Sequence, residues 1–242
     1  MTGIDQNKQA IRERVWSELE ASSRVEPGVR GYIPAFAGAS DAADRLAALP
    51  VWERARVLEV VPDRAQFPVR QRALEAGKLL YMAVPKLAEA EPFYLLDPRR
   101  LTVEPGRAAD RDVASRVAPL VAVTGMQKID LLVCGSVAVN AHGARLGKGA
   151  GYSDIEFALL AEAGLIDEQT IIATTVDELQ VVDEDLPERD HDFRVDPVIT
   201  PRRVIRCDAA KRPRGLDWRL LRAEQLAAIP ALRRRPSLRA KP

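Results

Sequence analysis

A glycine-rich segment between Gly143 and Asp154 carries the clearest chemical signal in the sequence. Its glycines occupy alternate positions: Gly147, Gly149 and Gly151. Because glycine has no Cβ, backbone N–H groups can approach an anion closely there, and Arg145 and Lys148 add positive charge. These residue types in this order predict a phosphate site.

The spacing of this segment does not match the two standard nucleotide motifs. Three residues separate Gly143 from the Gly147-Lys148 pair, where the Walker pattern needs four, and neither Ser nor Thr follows the lysine. The dinucleotide pattern G-x-G-x-x-G is also missing. A flexible loop with a solvated lysine is therefore a competing interpretation.

Regular elements are predicted on both sides of the glycine segment. The apolar, β-branched run Ile129–Val139 is typical of a buried strand. Ser153 and Glu156 form a capping-box pattern, which predicts a helix that begins there and ends before Gly164. The N-terminal end of that helix would favour an anion through its dipole.

The N-terminal residues Ile4–Glu20 are predicted to form a helix with two cations on its inward face. Apolar residues recur at helical spacing: Ile11, Val15 and Leu19. Lys8 and Arg12 fall inside this stripe on a helical wheel. They either bind an anion or extend along the surface with their charged ends in water.

Two aspartates are candidates for a metal site. Asp154 follows the glycine segment, and Asp192 lies beside His191 in an acidic loop. A carboxylate near bound phosphates usually holds Mg²⁺. Asp154 could equally stabilise the first turn of its helix, and His191 could donate a hydrogen bond that fixes its loop.

The rest of the chain alternates strands and helices, which predicts the α/β class. A strand at 55–61, a helix at 64–76 and a strand at 78–84 imply a right-handed crossover in a parallel sheet. Residues 108–122 are ambiguous between helix and strand. Further strands are predicted at 93–96, 170–175, 180–182, 195–200 and 204–207, the last two near a sheet edge, and a final helix at 220–229. Ligands bind beyond the carboxyl ends of the strands in such sheets, where the glycine segment is expected.

Composition describes an ordinary soluble protein. The 242 residues are 47% hydrophobic and 29% charged with a net charge of +1, which fits one domain spanning 1–242 and excludes a general polyanion binder. Two cysteines form no disulfide framework, so a cytoplasmic location without membrane association is expected. The basic tail at 233–242 lacks interleaved aromatic residues, which favours a solvated end over a nucleic-acid patch.

Taken together, these motifs resemble the 5-formyltetrahydrofolate cyclo-ligase family. The glycine segment looks like the family's ATP-binding signature, Lys8-x-x-x-Arg12 like its opening helix, and His191-Asp192 like its C-terminal part. A divergent branch, the methenyltetrahydrofolate synthetase domain-containing proteins, is more similar still. The segments that carry this second likeness are 31–34, 62–63, 68–70 and 135–139.

The resemblance implies a Rossmann-like, three-layer α/β sandwich with a largely parallel central sheet. It implies an enzyme that uses ATP and Mg²⁺ to close 5-formyltetrahydrofolate, a reduced folate, to 5,10-methenyltetrahydrofolate with release of ADP and phosphate. Asp154 and Asp192 would hold Mg²⁺, and Arg145, Lys148 and Tyr152 would be catalytic. The residues expected to bind the nucleotide are Lys8, Arg12, Arg145, Gly147, Lys148, Gly149, Gly151 and Tyr152.

The sequence departs from the family pattern at three places. Ser153 replaces a usual second tyrosine and Ile155 a usual arginine, and no acidic residue near 66–70 matches the one that holds folate in the family. An alternative function is therefore a nucleotide-binding relative without cyclo-ligase activity, which has a regulatory or RNA-associated role. The oligomeric state stays open.

Overall fold

The protein is an α/β sandwich in a computed structural model that describes residues 3–207 and 212–233. The helices of these residues are α1 (Gly3–Ala21), α2 (Ala39–Ala47), α3 (Pro50–Arg54), α4 (Phe67–Glu75), α5 (Pro105–Ala108), α6 (Arg111–Val117), α7 (Tyr152–Glu162), α8 (Ala223–Ala228) and α9 (Pro230–Arg233). The strands are β1 (Val57–Val60), β2 (Leu79–Ala83), β3 (Phe93–Leu96), β4 (Leu120–Val121), β5 (Leu131–Cys134), β6 (Ala138–Asn140), β7 (Arg145–Leu146), β8 (Ile171–Thr175), β9 (Val181–Val182), β10 (Pro197–Ile199) and β11 (Val204–Arg206).

Eight strands form the main sheet in the order β11-β10-β8-β5-β1-β2-β3-β4. The five strands from β10 to β2 run parallel, and the outer strands pair antiparallel. A smaller sheet has the order β7-β6-β9. The prediction of an α/β fold with a largely parallel central sheet is therefore confirmed.

The main sheet separates two apolar clusters. Successive side chains of a strand point to opposite faces, so a sheet that is covered on both sides buries apolar residues on each face. Leu58 and Val60 of β1 belong to the cluster that includes residues of α1, α2 and α4. Val57, at the start of β1, belongs to the cluster that includes residues of α7 and α9. Helices on both faces give the three layers that the family resemblance implies.

The prediction of one strand over Ile129–Val139 is wrong, because the chain changes sheets in that run. β5 ends at Cys134 in the main sheet, and β6 begins at Ala138 in the small sheet. Gly135 lies at the change of direction, where a Cβ would come within 2.9 Å of Ile33 Cγ1. The apolar run is continuous because both strands are buried.

The predicted capping box at Ser153 and Glu156 is also wrong. The residue that precedes α7 is Gly151, in the left-handed conformation with a φ of 76°, so Ser153 and Glu156 both lie within the helix. Gly151 accommodates the turn that a side chain would strain. Glu156 is buried instead of reaching back to the backbone.

The other predicted elements agree with the structure to within a few residues. α1, the crossover from β1 through α4 to β2, and the outermost position of β11 are confirmed. The ambiguous residues 108–122 contain the end of α5, all of α6 and β4. Of the basic tail, only Arg233 lies within the described residues. Among the helices that the structure describes, none is both long and apolar enough to cross a membrane.

Candidate functional site

A cleft of about 390 Å³ lies beside the glycine segment and brings together the ten residues that the sequence predicts for the site. Two contacts place it at the carboxyl ends of the parallel strands, because Arg145 and Lys148 reach residues that follow β5 and β1. The lining includes all ten predicted residues: Lys8, Arg12, Arg145, Gly147, Lys148, Gly149, Gly151, Tyr152, Asp154 and Asp192. The roles assigned to them stay predictions.

The two cations of α1 face the cleft from the inner side of the helix, as predicted. Lys8 Nζ donates to Asp192 Oδ2 at 2.5 Å, and Arg12 Nε donates to the carbonyl oxygen of Gly147 at 2.6 Å. Burial lowers the pKa of Arg12, and the negative charge of Asp192 opposes this shift. α1 is thereby attached to both the glycine segment and the acidic loop.

Arg145 is the most enclosed cation of the cleft, with 6% of its surface exposed. Its guanidinium carbon lies 3.9 Å from the centroid of the Phe193 ring, which stacks on Phe157 at 4.3 Å. Nη2 donates to Asp154 Oδ1 at 3.1 Å. Arg145 Nε is buried without a hydrogen-bond partner among the described residues. The aromatic ring and the carboxylate fix the plane of the guanidinium, so the charged group is held in one orientation.

Lys148 and the glycines form the open side of the cleft. Lys148 Nζ donates to Asp63 Oδ1 at 2.9 Å, and its side chain is 37% exposed. Gly149 adopts a φ of 94°, and a Cβ there would lie 3.4 Å from the guanidinium carbon of Arg12. Glycine therefore lets the backbone turn close to a buried cation, and an anion can approach the same turn.

The two aspartates have oppositely shifted pKa values. Burial raises the pKa of Asp154, and the charge of Arg145 only partly opposes it. Burial acts in the same direction on Asp192, but hydrogen bonds from Lys8 and from the Arg189 backbone N–H lower its pKa overall. Asp192 is the carboxylate that these contacts hold in its charged form.

The donor set fits one Mg²⁺ bound together with phosphates. Asp154 and Asp192 line one cleft; Arg145 pairs with one oxygen of Asp154, and Lys8 pairs with one oxygen of Asp192. Mg²⁺ usually takes one or two carboxylates, with phosphate oxygens and waters as its other ligands. No group of three or more His, Cys, Asp or Glu side chains suited to a metal occurs among the described residues, so a site made of protein ligands alone is not indicated there.

Sequence reasoning missed several residues of the cleft. Phe193, Arg222 and Gln225 line it, and Asp63 pairs with Lys148 at its edge. An isolated Phe, Arg or Gln carries no motif. The position of Asp63 shortly after β1 could have indicated it, because that places it at the edge of the sheet where ligands bind, and the segment 62–63 already carries part of the family likeness.

A second cavity of about 610 Å³ adjoins the first at the Lys148–Asp63 ion pair. Lys148 lines the first cavity, and Asp63 lines the second. Its lining includes three aromatic side chains, which are suited to contact with a flat aromatic molecule: Tyr32, Phe36 and Phe67. Tyr32 is 66% exposed, which leaves its ring free to stack on a ligand.

Comparison with known proteins identifies the family. The sequence model of the 5-formyltetrahydrofolate cyclo-ligase family matches residues 4–201. The chain belongs to this family. It is 37% identical over 235 residues to the mouse methenyltetrahydrofolate synthase domain-containing protein and 35% identical over 243 residues to the human one. These matches cover 94% and 97% of this chain.

This family member spans about 62% of the length of those two relatives. Its fold is similar to the solution structure of the 5,10-methenyltetrahydrofolate synthetase of Aquifex aeolicus, with a TM-score of 0.54 and 21% sequence identity. That likeness covers 87% of this chain and 96% of the other. The solved structure therefore supports the fold, and the sequence matches support the family.

Proposed function

We propose that this protein uses ATP and Mg²⁺ in the cytoplasm to close 5-formyltetrahydrofolate to 5,10-methenyltetrahydrofolate, releasing ADP and phosphate. The observation that carries the proposal is the single cleft that all ten predicted residues line. In the reaction, the formyl oxygen attacks the γ-phosphorus of ATP, and ADP leaves. N10 of the folate then attacks the activated carbon, N10 releases its proton to water, and phosphate leaves as the ring closes.

The cations of the cleft would bind and orient the triphosphate. Lys8, Arg12, Arg145 and Lys148 approach from α1 on one side and from the glycine segment on the other. Charge spreads over the phosphoryl oxygens during transfer, so fixed cations stabilise the transition state. Arg145 is the best fixed of the four, because Phe193 and Asp154 both hold its guanidinium.

Backbone and carboxylate groups would complete the nucleotide site. The N–H groups at Gly147, Gly149 and Gly151 would donate to phosphate oxygens, and Asp154 and Asp192 would hold Mg²⁺. When bound, the ion would offset negative charge on the phosphates. Tyr152, the first residue of α7, lines the cleft where the glycine segment ends and would lie beside the reacting groups.

The second cavity would hold the folate. It adjoins the phosphate site at Lys148 and Asp63, so a formyl group placed there would lie near the transferred phosphate. Reaction between two bound molecules requires such adjacency, and much of the rate enhancement would come from it. Tyr32, Phe36 and Phe67 would contact the pterin and benzoyl rings.

Purified protein mixed with 5-formyltetrahydrofolate, ATP and Mg²⁺ should produce methenyl absorbance in a one-to-one ratio with ADP. The absorbance should not appear when ATP is replaced by a non-hydrolysable analogue, because phosphorylation precedes ring closure. An Arg145→Ala variant is the matched control for contaminating activity. ATP binding without any folate turnover would contradict the proposed reaction while leaving the nucleotide site intact.

One observation favours a second candidate, a nucleotide-binding relative without cyclo-ligase activity. The family usually has an arginine at the position of Ile155, and here that side chain is 4% exposed and packed in an apolar cluster. The site therefore lacks one cation of the usual set, and no neighbouring residue of α7 replaces it. Under this candidate, ATP binds and regulates an interaction, and the folate assay stays negative.

Replacing Asp63 by Asn should weaken folate binding in the second cavity more than ATP binding in the first. The amide keeps the shape of the side chain but removes the charge opposite Lys148. Because Asp63 lines the second cavity, its carboxylate would also accept a hydrogen bond from the folate. We expect the KM for 5-formyltetrahydrofolate to rise about tenfold, as the loss of that charge-assisted hydrogen bond implies, with the Kd for ATP changed by less than about threefold. Steady-state kinetics and calorimetry measure the two constants. Equal losses in both would mean that Asp63 serves only to position Lys148.

A further inference from the structure

Two residues that lie beyond the family match line the cleft. The match ends at residue 201, whereas residues 212–233, here named the C-terminal arm, extend back across α7. Arg222 and Gln225 of this arm line the cleft together with the glycine segment. The family's sequence pattern does not include these two side chains.

The C-terminal arm is attached to the body of the protein by buried apolar contacts. Ile229 is fully buried and Leu232 is 3% exposed, both in the cluster that contains the apolar residues of α7. The backbone N–H of Leu216 donates to Glu162 Oε1 at 2.9 Å, at the far end of α7. These anchors hold the arm on both sides of Arg222 and Gln225.

Two side chains of the arm converge on one backbone carbonyl of the glycine segment. Gln225 Nε2 donates to the oxygen of Ala150 at 3.4 Å, and Arg222 Nη2 donates to the same oxygen at 3.3 Å. Gln225 Oε1 accepts from the Arg222 backbone N–H at 3.0 Å, which fixes the amide. Because a peptide unit is planar, holding the Ala150 carbonyl also fixes the direction of the Gly151 N–H.

Arg222 differs from most cations of the cleft in its partners. Lys8, Arg145 and Lys148 each pair with a carboxylate. Among residues 3–207 and 212–233, Arg222 forms no ion pair, and its side chain donates to a backbone oxygen alone. It is also exposed at the opening of the cleft. Its positive charge is therefore available to an anion that enters.

We propose that the C-terminal arm is part of the nucleotide site, with Arg222 binding phosphate oxygens of the polyphosphate and Gln225 positioning the glycine segment. The inference rests on the proposed ATP function and adds two residues to it. Arg222 would contact the ligand directly. Gln225 is a positioning residue, since it acts through the peptide unit between Ala150 and Gly151.

Calorimetric titration of the full chain with ATP tests this assignment. Arg222→Ala should weaken ATP binding about tenfold, as expected for the loss of a hydrogen bond between charged groups, and Arg222→Lys should recover part of it. Gln225→Ala should weaken binding about threefold. The matched control is Arg219→Ala, which removes an arginine of the same arm that pairs with Asp217 and does not line the cleft. It should stay within about twofold of wild type.

Inorganic triphosphate and hydrogen exchange provide two further readouts. The ratio of the Kd of Arg222→Ala to the Kd of wild type should be the same for triphosphate as for ATP, because the contact is to phosphate. ATP should slow amide exchange in residues 221–229 of wild type and should do so less in Arg222→Ala. If wild type binds ATP and Arg222→Ala binds it as tightly as Arg219→Ala does, the inference is overturned and the proposed function stands. A wild-type protein that binds neither ATP nor triphosphate would overturn both.

Discussion

Arg145→Ala should reduce ATP affinity about 100-fold, the loss expected when a buried, charge-paired group that contacts ligand is truncated. Arg145 is 6% exposed, and its guanidinium is held by the Phe193 ring and by Asp154. Truncation also leaves Asp154 without its ion-pair partner. We therefore expect the free energy of unfolding to fall as well, by about 2 kcal/mol, since Asp154 keeps some contact with solvent.

The double variant Arg145→Ala/Asp154→Asn separates the two effects of the truncation. An amide at 154 removes the unpaired charge, so part of the lost stability should return, whereas ATP affinity should stay low because the cation is still missing. Titrations with ATP in the presence of EDTA exclude any contribution from a metal at Asp154, and urea unfolding measures stability. ATP affinity that recovers with stability would mean that Arg145 is only a structural cation.

The glycine segment and the cations of α1 were predictable because local patterns determine them. Alternate glycines next to Arg145 and Lys148 favour an anion because of their residue types alone. Lys8 falls within the apolar stripe of its helix, which places it on the inward face. The rule that ligands bind at the carboxyl ends of parallel strands then places the glycine segment at that edge of the sheet. These predictions depend on residue types, on the spacing of apolar residues along a helix and on the topology of the sheet.

The contacts between distant segments were not predictable in this way. The pairing of Lys8 with Asp192 spans 184 positions, and the contact of Gln225 with Ala150 spans 75. No residue type at either end specifies the other. The capping box at Ser153 and Glu156 failed for a related reason, because burial of Glu156 against the sheet outweighed its local preference for the helix end.

Glu156 and Glu59 form a buried acidic pair next to the cleft, which the sequence did not indicate. Both line a void of about 10 Å³ between α7 and β1, where Glu59 is fully buried and Glu156 is 6% exposed. Burial raises the pKa of Glu156 to about 7. Burial and the charge of Glu156 raise the pKa of Glu59 well above its ordinary value. The pair therefore favours protonated side chains in the folded state.

Stability should consequently fall as the pH rises from 4.5 towards 7. Over that range Glu156 keeps its proton in the folded protein and loses it in the unfolded chain, so each pH unit shifts the equilibrium towards unfolding. The loss of unfolding free energy from Glu156 alone is about 3 kcal/mol, given an ordinary pKa of 4.5 and a folded-state pKa of about 7. Glu59 acts in the same direction.

Glu156→Gln should remove the part of this pH dependence that comes from Glu156, because an amide of the same shape cannot ionise, and leave the part that comes from the buried Glu59. The variant should match wild type near pH 4.5 and exceed it by about 3 kcal/mol at pH 8, as measured by urea unfolding across the pH range. Glu53→Gln, at an exposed position of α3, is the control that changes a formal charge without changing the buried pair. Stability curves for Glu156→Gln and wild type that run parallel across the whole range would show that ionisation of Glu156 is not coupled to folding. The buried pair would then be stabilised by a contact other than a retained proton.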